Sequence, residues 1–581
     1  MMGDGIWEGL RLSNNQWLFL DEHLERLFEG AKAIDLEIGL TTDELVDALE
    51  KTKSANNMTT NAHARLMVTR GVKSKPFQKP SFSMNGSTVV IIMEHSDDSL
   101  ENNSISLASV PQVRGTPMMQ DPKLNSHSKL NCILACIQAE KAGADALDVS
   151  SYGNTSKGIA FTEAPLVHEP GGFLKYARMA KESVSIPIIA VGRIELDVAE
   201  NGLKNKDFDF VAMGRKLLAD PGLPNKISSG QEHLIRPCIY CYVCVSQIFI
   251  NKPMMCAVNS QLGNEFRNEK IIFSTARQKN ILVVGAGPSG MEAARLLAMQ
   301  GHHVEIWEKD KDIGGTVRVA TLAYEPNGQL IKYLQNSLKE LKVTIKRNTL
   351  ATIEKIESFQ PDHVIVAVGA TRDAPPILGK ELNHVFDGEQ LRGLLFGSDA
   401  EAIKKLSIFQ QLILKIGRAS QLLRNVKALT MLSKIWMPLS KNITIIGGDL
   451  VGLELAEFLI ERGRKVTVLE PATSLGPNLS IVRRSRVVHL LKEHGATLLT
   501  NVQINEITKA GVLYEHSGEA HLVKADQVII AMGANPNLDL ANALQTRNIH
   551  STAIGDCTSV GYIHGAIADA RNAVLGIEGL D

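Results

Sequence analysis

Residues 279–291 read Lys279-Asn-Ile-Leu-Val-Val-Gly-Ala-Gly-Pro-Ser-Gly-Met291, and this stretch decides the fold. Ile281-Leu-Val-Val284 is a short apolar run of the kind a parallel sheet buries on both faces. Gly285, Gly287 and Gly290 follow at Gly-x-Gly-x-x-Gly spacing, and Met291 to Gln300 carries a helical pattern. Strand, glycine turn and helix, in that order, make a dinucleotide cradle: the turn lets backbone approach a pyrophosphate, and the helix N-terminus turns its unpaired N–H groups toward it. Val304-Glu-Ile-Trp307 reads as the next strand, and Glu308 at its end can accept from a ribose hydroxyl. A glycine-rich turn alone is a weak signal. With the strand, helix and terminal acid in register, dinucleotide binding outweighs a merely structural turn.

Just upstream, Cys238, Cys241, Cys244 and Cys256 stand at Cys-x2-Cys-x2-Cys-x11-Cys spacing. Such a trio can curl round one side of an iron–sulfur cluster while the distant fourth thiolate closes the cage. Zinc also suits four cysteines, and free thiols are a third reading; spacing alone leaves all three open. Downstream, Ile443-Thr-Ile-Ile-Gly-Gly-Asp-Leu-Val-Gly452 repeats the fingerprint through Gly447 and Gly452, with Val466-Thr-Val-Leu469 as its next strand and Glu470 as its acid. Glu470 suits the free 2′-hydroxyl of NADH and repels the 2′-phosphate of NADPH. Asp449 stands where a middle glycine would let backbone approach the pyrophosphate.

Ile235-Arg-Pro-Cys-Ile-Tyr-Cys241, Cys256-Ala-Val-Asn259 and the first glycine fingerprint together resemble the multi-cofactor branch of the old yellow enzymes, which includes 2,4-dienoyl-CoA reductase and trimethylamine dehydrogenase. The resemblance runs from about residue 142 onward. It implies an FMN barrel, a four-iron four-sulfur cluster and an FAD- and NADH-binding reductase module, acting on a conjugated enoyl compound. The family's usual spacing places three residues between its second and third cysteines, and this chain has two. Within the resemblance, Gly285, Gly287, Gly290, Glu308 and Asp556 bind FAD, the last through the ribityl chain. Gly447, Gly452 and Glu470 bind NADH. Cys557 has no Cys-x4-Cys partner, which argues against a dithiol mechanism.

Between residues 142 and 234 the alternation of strands and helices resembles the last three βα units of an eight-unit barrel, without the first five. Gly192-Arg193 and Gly214-Arg215 each follow a strand and match the phosphate end of an FMN site. The alternative for Arg215 is a local surface salt bridge. Because the family's flavin-ring contacts lie mainly on the strands this chain lacks, FMN is left open.

The first 141 residues differ in character. Gly3-Asp-Gly-Ile-Trp-Glu-Gly-Leu-Arg11, Leu20-Asp-Glu-His-Leu-Glu-Arg-Leu27 and Ala64-Arg-Leu-Met-Val-Thr-Arg-Gly71 resemble the N-terminal half of a class IV, PLP-dependent aminotransferase. By that resemblance Arg26 would bind the cofactor phosphate; otherwise it is a solvated residue on an amphipathic helix. The Schiff-base lysine falls at Asn125, with Lys123 and Lys129 out of register, so PLP binding and transamination are not expected.

At 581 residues, 44% hydrophobic and 22% charged, the chain is long enough for several globular domains. A net charge of −1 argues against nucleic acid as a partner and leaves a small-molecule substrate. Seven cysteines without a paired framework fit a reducing, cytoplasmic location. Neither a signal peptide nor an apolar run of spanning length is visible. Lys404, Lys405, Lys415, Arg418, Arg424, Lys427 and Lys434 crowd one segment with few acids. They read as a solvated cap, with contact to an anionic membrane as the sharper alternative.

The expected fold class is α/β: an α+β aminotransferase-like segment, a partial (βα) barrel remnant, and two Rossmann-like FAD/NAD(P)-binding domains. The boundaries expected are a truncated aminotransferase-like segment at 1–141, truncated barrel at 142–234, and cysteine segment and linker at 235–278. An FAD-binding part at 279–387, a basic helical insert at 388–440, an NAD(H)-binding domain at 441–525 and a second FAD-binding part at 526–581 complete the chain. The function expected is an NADH-dependent flavin and iron–sulfur oxidoreductase. Its rivals are an aminotransferase and a catalytically impaired fusion of two truncated modules.

Overall fold

The computed structural model describes residues 5–33, 36–72, 74, 84, 86–95, 145–149, 170–264, 278–396, 399–420 and 426–577. Lys123, Asn125 and Lys129 lie outside these residues. The chain separates into two units, Met1–Ser109 and Val110–Asp581.

The first unit is an antiparallel sheet in the order Gln16–Trp17, Gly5–Ser13, Ala62–Thr69, Thr88–His95, with helices Leu20–Ala33 and Thr42–Ala55. Alternation along the third of these puts Ala62, Ala64, Leu66 and Val68 on the buried face, as period-two pleating requires. Leu24 and Leu27 of one helix and Leu45 and Leu49 of the other share the core with Leu10, Leu66 and Val68. Thr41 starts the second helix with a capping box closed by Glu44. Arg26 is held by an acid in this arrangement. Its guanidinium grips buried Glu8 through Nε at 2.7 Å and Nη2 at 2.5 Å, while His23 Nδ1 lies 2.8 Å from the same carboxylate.

Burial opposes ionisation of Glu8, but the hydrogen bonds and charges of Arg26 and His23 win and hold its carboxyl below the ordinary value. A depressed carboxylate gives stability that is present above the unfolded-state pKa and is lost as pH falls through the folded-state value. Glu8→Gln is expected to lower the stability of this unit by about 2 kcal/mol at neutral pH, and by progressively less as the medium is acidified. Urea titrations at neutral and acidic pH, followed by fluorescence of Trp7 and Trp17 in a Trp307→Phe/Trp436→Phe background, measure it. An equal loss at both pH values would show that packing rather than charge is responsible.

The second unit contains two five-stranded, all-parallel sheets. The first runs Thr344–Lys346, His303–Trp307, Asn280–Val284, His363–Val366, Ser551–Ala553. Its central strand buries Ile281, Leu282, Val283 and Val284, and helices Pro288–Met299, Pro326–Glu340 and Tyr562–Ile577 complete the core on one face. The helix expected from Met291 begins three residues sooner. Gly287 is its N-cap, and Pro288 at the first turn needs no N–H partner.

The second sheet runs Val385–Asp387, Gln527–Ile530, Asn442–Ile446, Lys465–Leu469, Thr497–Leu499. Boundaries expected at 388 and 526 therefore shift. Val385–Asp387 and Gln527–Ile530 pair in parallel with each other, and the latter pairs with Asn442–Ile446, so both strands belong to the second nucleotide domain. That domain is an excursion from the first. The antiparallel pair Thr371–Arg372 and Ala534–Asn535 marks where the chain leaves and returns.

Residues 388–440 form helices Gly388–Leu395, Ala400–Lys404, Ile408–Ala419 and Val426–Ile435. Their inner residues Leu391, Leu394, Leu414 and Leu429 join the core of the second sheet. Lys405, read from sequence as one of the crowded basic residues, turns inward: its Nζ donates to the Val385 carbonyl at 2.8 Å and to Gln390 Oε1 at 3.0 Å. Burial lowers its pKa. A separate three-stranded parallel sheet, Leu147–Val149, Ile188–Val191 and Phe210–Ala212, covers the segment expected to be barrel-like.

Candidate cofactor sites

At the first fingerprint, the backbone alone explains the glycines. Gly285 has φ +106°, and a Cβ there would stand 2.4 Å from the Ala367 carbonyl oxygen. A Cβ at Gly290 would stand 2.1 Å from the Gly285 carbonyl oxygen, so strand and helix can close only over glycine. Gly287 differs, since its Cβ would meet nothing within 4 Å. The space beside it is a cradle. Ser289 Oγ, at the first turn of the helix, is buried without a hydrogen-bond partner, so the cradle offers an unused polar group beside the helix N–H groups.

Glu308 is buried, and its two oxygens accept from the N–H of Ala286 at 2.8 Å and of Asp310 at 2.9 Å. Each carboxylate oxygen keeps a second lone pair for a ribose hydroxyl. The sequence reading missed Gly314-Gly315. Gly314 donates to the Ala286 carbonyl at 2.8 Å, and a Cβ at Gly315 would approach the Gly287 Cα to 3.2 Å, so this turn walls the cradle. Two adjacent glycines before a helix were the available signal. Asp556 sits in the short turn Gly555–Cys557 before the last helix, accepting from the Gly561 N–H at 3.0 Å. Cys557 is fully buried, and its thiol donates toward the Val366 and Ile554 carbonyls.

The second fingerprint repeats the geometry: Gly447 has φ +107°, and a Cβ at Gly452 would lie 1.9 Å from the Gly447 carbonyl oxygen. Glu470 accepts from Gly448 N–H at 2.5 Å and Ala472 N–H at 2.7 Å. The departure, Asp449, is tied down. It stands at the N-cap position of helix Leu450–Ile460 without a capping bond of its side chain, which accepts from Asn478 N–H at 3.1 Å, from Asn478 Nδ2 at 2.6 Å and from Tyr562 Oη at 3.1 Å. Burial and the neighbouring Asp449 charge both push the Tyr562 phenol up, so it stays a donor to that carboxylate. Asp449→Gly is expected to tighten NADH binding roughly tenfold by removing one charge near the pyrophosphate path. Titration of the purified chain with NADH, read by nicotinamide fluorescence, checks this. Weaker binding would mean that the Asn478–Asp449–Tyr562 tie builds the site.

The four cysteines lie between these domains. Cys238, Cys241 and Cys256 pack on the core of the first sheet, while Cys244 shares a small cluster with Tyr240, Tyr242 and Val482. The cysteine segment also touches the second domain where Ser480 Oγ donates to the Cys241 carbonyl at 2.7 Å. Tyr240 and Tyr242 adopt φ +50° and +60°, left-handed values that each cost on the order of 1 kcal/mol or more and bend the chain around the trio.

Burial pushes all four thiols up, Cys238 to about 11. Against this act backbone N–H groups: Tyr240 toward Cys238, Val243 toward Cys241, Val245 toward Cys244, and Val258 with Asn259 toward Cys256. Arg215 acts in the same sense on Cys238 and Cys244, and Arg236 on Cys256. These N–H groups and cations act in the direction that favours thiolate, but burial outweighs them and all four thiols stay raised. Among the described residues no three His, Cys, Asp or Glu side chains converge on a single-ion position.

The two loops expected to hold a flavin phosphate face this segment. Arg193 Cζ lies 4.7 Å from the Tyr240 ring centroid, and Arg215 Cζ lies 5.0 Å from that of Tyr242. Gly192 has φ +114°, and Gly214 opens helix Gly214–Ala219. Beside them Glu195 accepts from Tyr240 Oη at 2.6 Å and from Lys216 Nζ at 2.5 Å.

Residues 281–574 match the pyridine nucleotide-disulphide oxidoreductase family, and the chain belongs to it. Residues 161–233 match the NADH:flavin oxidoreductase/NADH oxidase family, and residues 5–159 match amino-transferase class IV, so the resemblances carried by the motifs hold in all three segments. Bilirubin reductase of Mediterraneibacter gnavus is 31% identical over 423 residues, covering 72% of this chain and 59% of that protein. Metal reductase of Desulforamulus reducens is 31% identical over 493 residues, covering 78% and 66%. A solved 2-naphthoyl-CoA reductase in complex with 2-naphthoyl-CoA superimposes with TM-score 0.65 at 28% identity, over 76% of this chain and 62% of that one. The chain thus spans about three fifths of the length of such relatives.

Proposed function

We propose that this chain is an NADH-dependent flavin oxidoreductase, with FAD at the first fingerprint, NADH at the second and a four-iron four-sulfur cluster at Cys238, Cys241, Cys244 and Cys256. The observation that carries the proposal is the position of the cysteine segment, with Cys238, Cys241 and Cys256 packed on the core of the first nucleotide domain and the Cys241 carbonyl hydrogen-bonded to Ser480 of the second. Flavin and cluster, when bound, supply the exchange between hydride and single electrons, which no side chain can. The chain's residues place them. The open face at Gly287 and the N–H groups of helix Pro288–Met299 receive a pyrophosphate, Glu308 orients a ribose, and Glu470 disfavours a 2′-phosphate. The N–H groups around the cage, with Arg215 and Arg236, lower the cost of keeping four thiolates buried.

At Gly192-Arg193 and Gly214-Arg215 the guanidinium groups lie over tyrosine rings, and no step is assigned to FMN. Among the relatives, the bilirubin reductase and the 2-naphthoyl-CoA reductase support a conjugated small molecule as final acceptor, while the metal reductase points to a metal ion. This chain alone is expected to reduce such an acceptor feebly, because its NADH:flavin oxidoreductase match is confined to residues 161–233. Arg26, engaged by Glu8, gives no support to PLP chemistry at residues 5–159. The proposal is tested by purifying the chain without air, identifying released flavin, and assaying iron and acid-labile sulfide. FAD with iron and sulfide is the expected result; a folded chain that takes up no flavin on reconstitution would overturn it.

A further inference from the structure

Helices Ile408–Ala419 and Val426–Ile435 have an inner face already accounted for by Leu414 and Leu429 in the core of the second sheet. Their outer face is unusual for protein in water. Ile408 is 86% exposed, Phe409 69%, Ile416 61%, Met431 72% and Ile435 85%. Ile408, Leu412 and Ile416 recur at intervals of four, so these side chains form one stripe along the helix surface. Lys415 and Lys427 are exposed on the same helices, and neither forms an ion pair with a described residue. Between Glu401 and Asp449 the sequence contains no acidic residue and eight lysines or arginines.

Bulky apolar tips among unpaired cations restrict what can cover this face. A second copy of the chain is a poor fit, because a two-fold contact sets the same patch against itself and would bring Lys415 and Lys427 near their own counterparts with no acid between them. An anionic bilayer meets both halves of the chemistry: aliphatic and aromatic side chains enter the boundary between headgroups and acyl chains, while lysines meet headgroup phosphates. No helix among the described residues is long and apolar enough to cross a membrane, so the contact would be an interfacial one. We propose that the outer face of Ile408–Ala419 and Val426–Ile435 docks the chain onto an anionic lipid bilayer surface.

The full chain is sedimented with vesicles of phosphatidylcholine alone and of phosphatidylcholine with phosphatidylglycerol, at low and high salt. Binding is expected to the anionic vesicles and to fall with salt. K415E/K427E and I408D/I416D/I435D are each expected to reduce partitioning at least about tenfold while keeping the wild-type circular dichroism. F409W is expected to be quenched by lipids brominated in the acyl chain, which reports insertion independently of the charge variants. Failure to bind anionic vesicles at low salt overturns the proposal, as does equal binding by the variants. Binding to an acidic polypeptide but not to vesicles, or a concentration-dependent dimer abolished by the apolar substitutions, also overturns it in favour of a protein partner.

Discussion

Gly287→Asp is expected to give a folded chain that no longer takes up FAD, with affinity reduced about a thousandfold. Of the three glycines in the first fingerprint, Gly287 alone combines an ordinary backbone angle, φ −75°, with open space where its Cβ would lie. A side chain there costs the apo fold little. A carboxylate placed among N–H groups that await a pyrophosphate opposes a like charge in a partly dry cleft, where a unit repulsion at about 4 Å amounts to roughly 4 kcal/mol. Gly290→Val provides the contrast. Its Cβ would collide with the Gly285 carbonyl, so this variant is expected to lose structure as well as flavin. Flavin absorbance after reconstitution and thermal unfolding of the apo chain separate the two. Full FAD content in a well-folded Gly287→Asp protein would move the flavin to another site.

Much of this arrangement is visible in the sequence, and the reason is physical. Parallel strands buried on both faces have to be written as apolar runs, and the Gly285 turn admits no side chain, so Ile281–Val284 and the glycine spacing announce the strand and turn directly. The aminotransferase-like sheet is legible for a similar reason, since Ala62, Ala64, Leu66 and Val68 alternate as one face of a pleat. What stays hidden is whatever depends on partners far along the chain. Nothing local to Asp449 indicates that Asn478 and Tyr562 will tie it, and nothing around Arg193 or Arg215 indicates that the rings of Tyr240 and Tyr242 will lie against them. The domain edges at 388 and 526 shifted for the same cause: Val385–Asp387 and Gln527–Ile530 find their pairing strand at Asn442–Ile446. Composition marked the 388–440 segment as basic, but which residues face outward required the structure. Lys405 is spent inside the domain on the Val385 carbonyl.

Cys241→Ser is expected to remove iron and sulfide from protein prepared without air, while leaving NADH-dependent reduction of an artificial hydride acceptor within about twofold of the parent. The two readouts divide because the residues that hold them are distinct. Cys241 is one of the four cysteines proposed to hold the cluster, and its carbonyl receives the Ser480 hydroxyl, a backbone contact that serine at 241 keeps. Glu308 and Glu470, proposed to serve the nucleotides, are on other strand ends and accept from the backbone of the adjacent glycine turns at Ala286 and Gly448. A serine alkoxide is a far poorer partner for iron than a thiolate. The Val243 N–H and the burial that press on position 241 are arranged for sulfur, so three remaining cysteines would have to complete the cage from solvent. Reduction of a one-electron acceptor through the cluster is therefore expected to fall at least about tenfold. Zinc in stoichiometric amount without sulfide in the parent protein would reassign the cage as a structural tetrahedron, and Cys241→Ser would then lower stability without dividing the two activities.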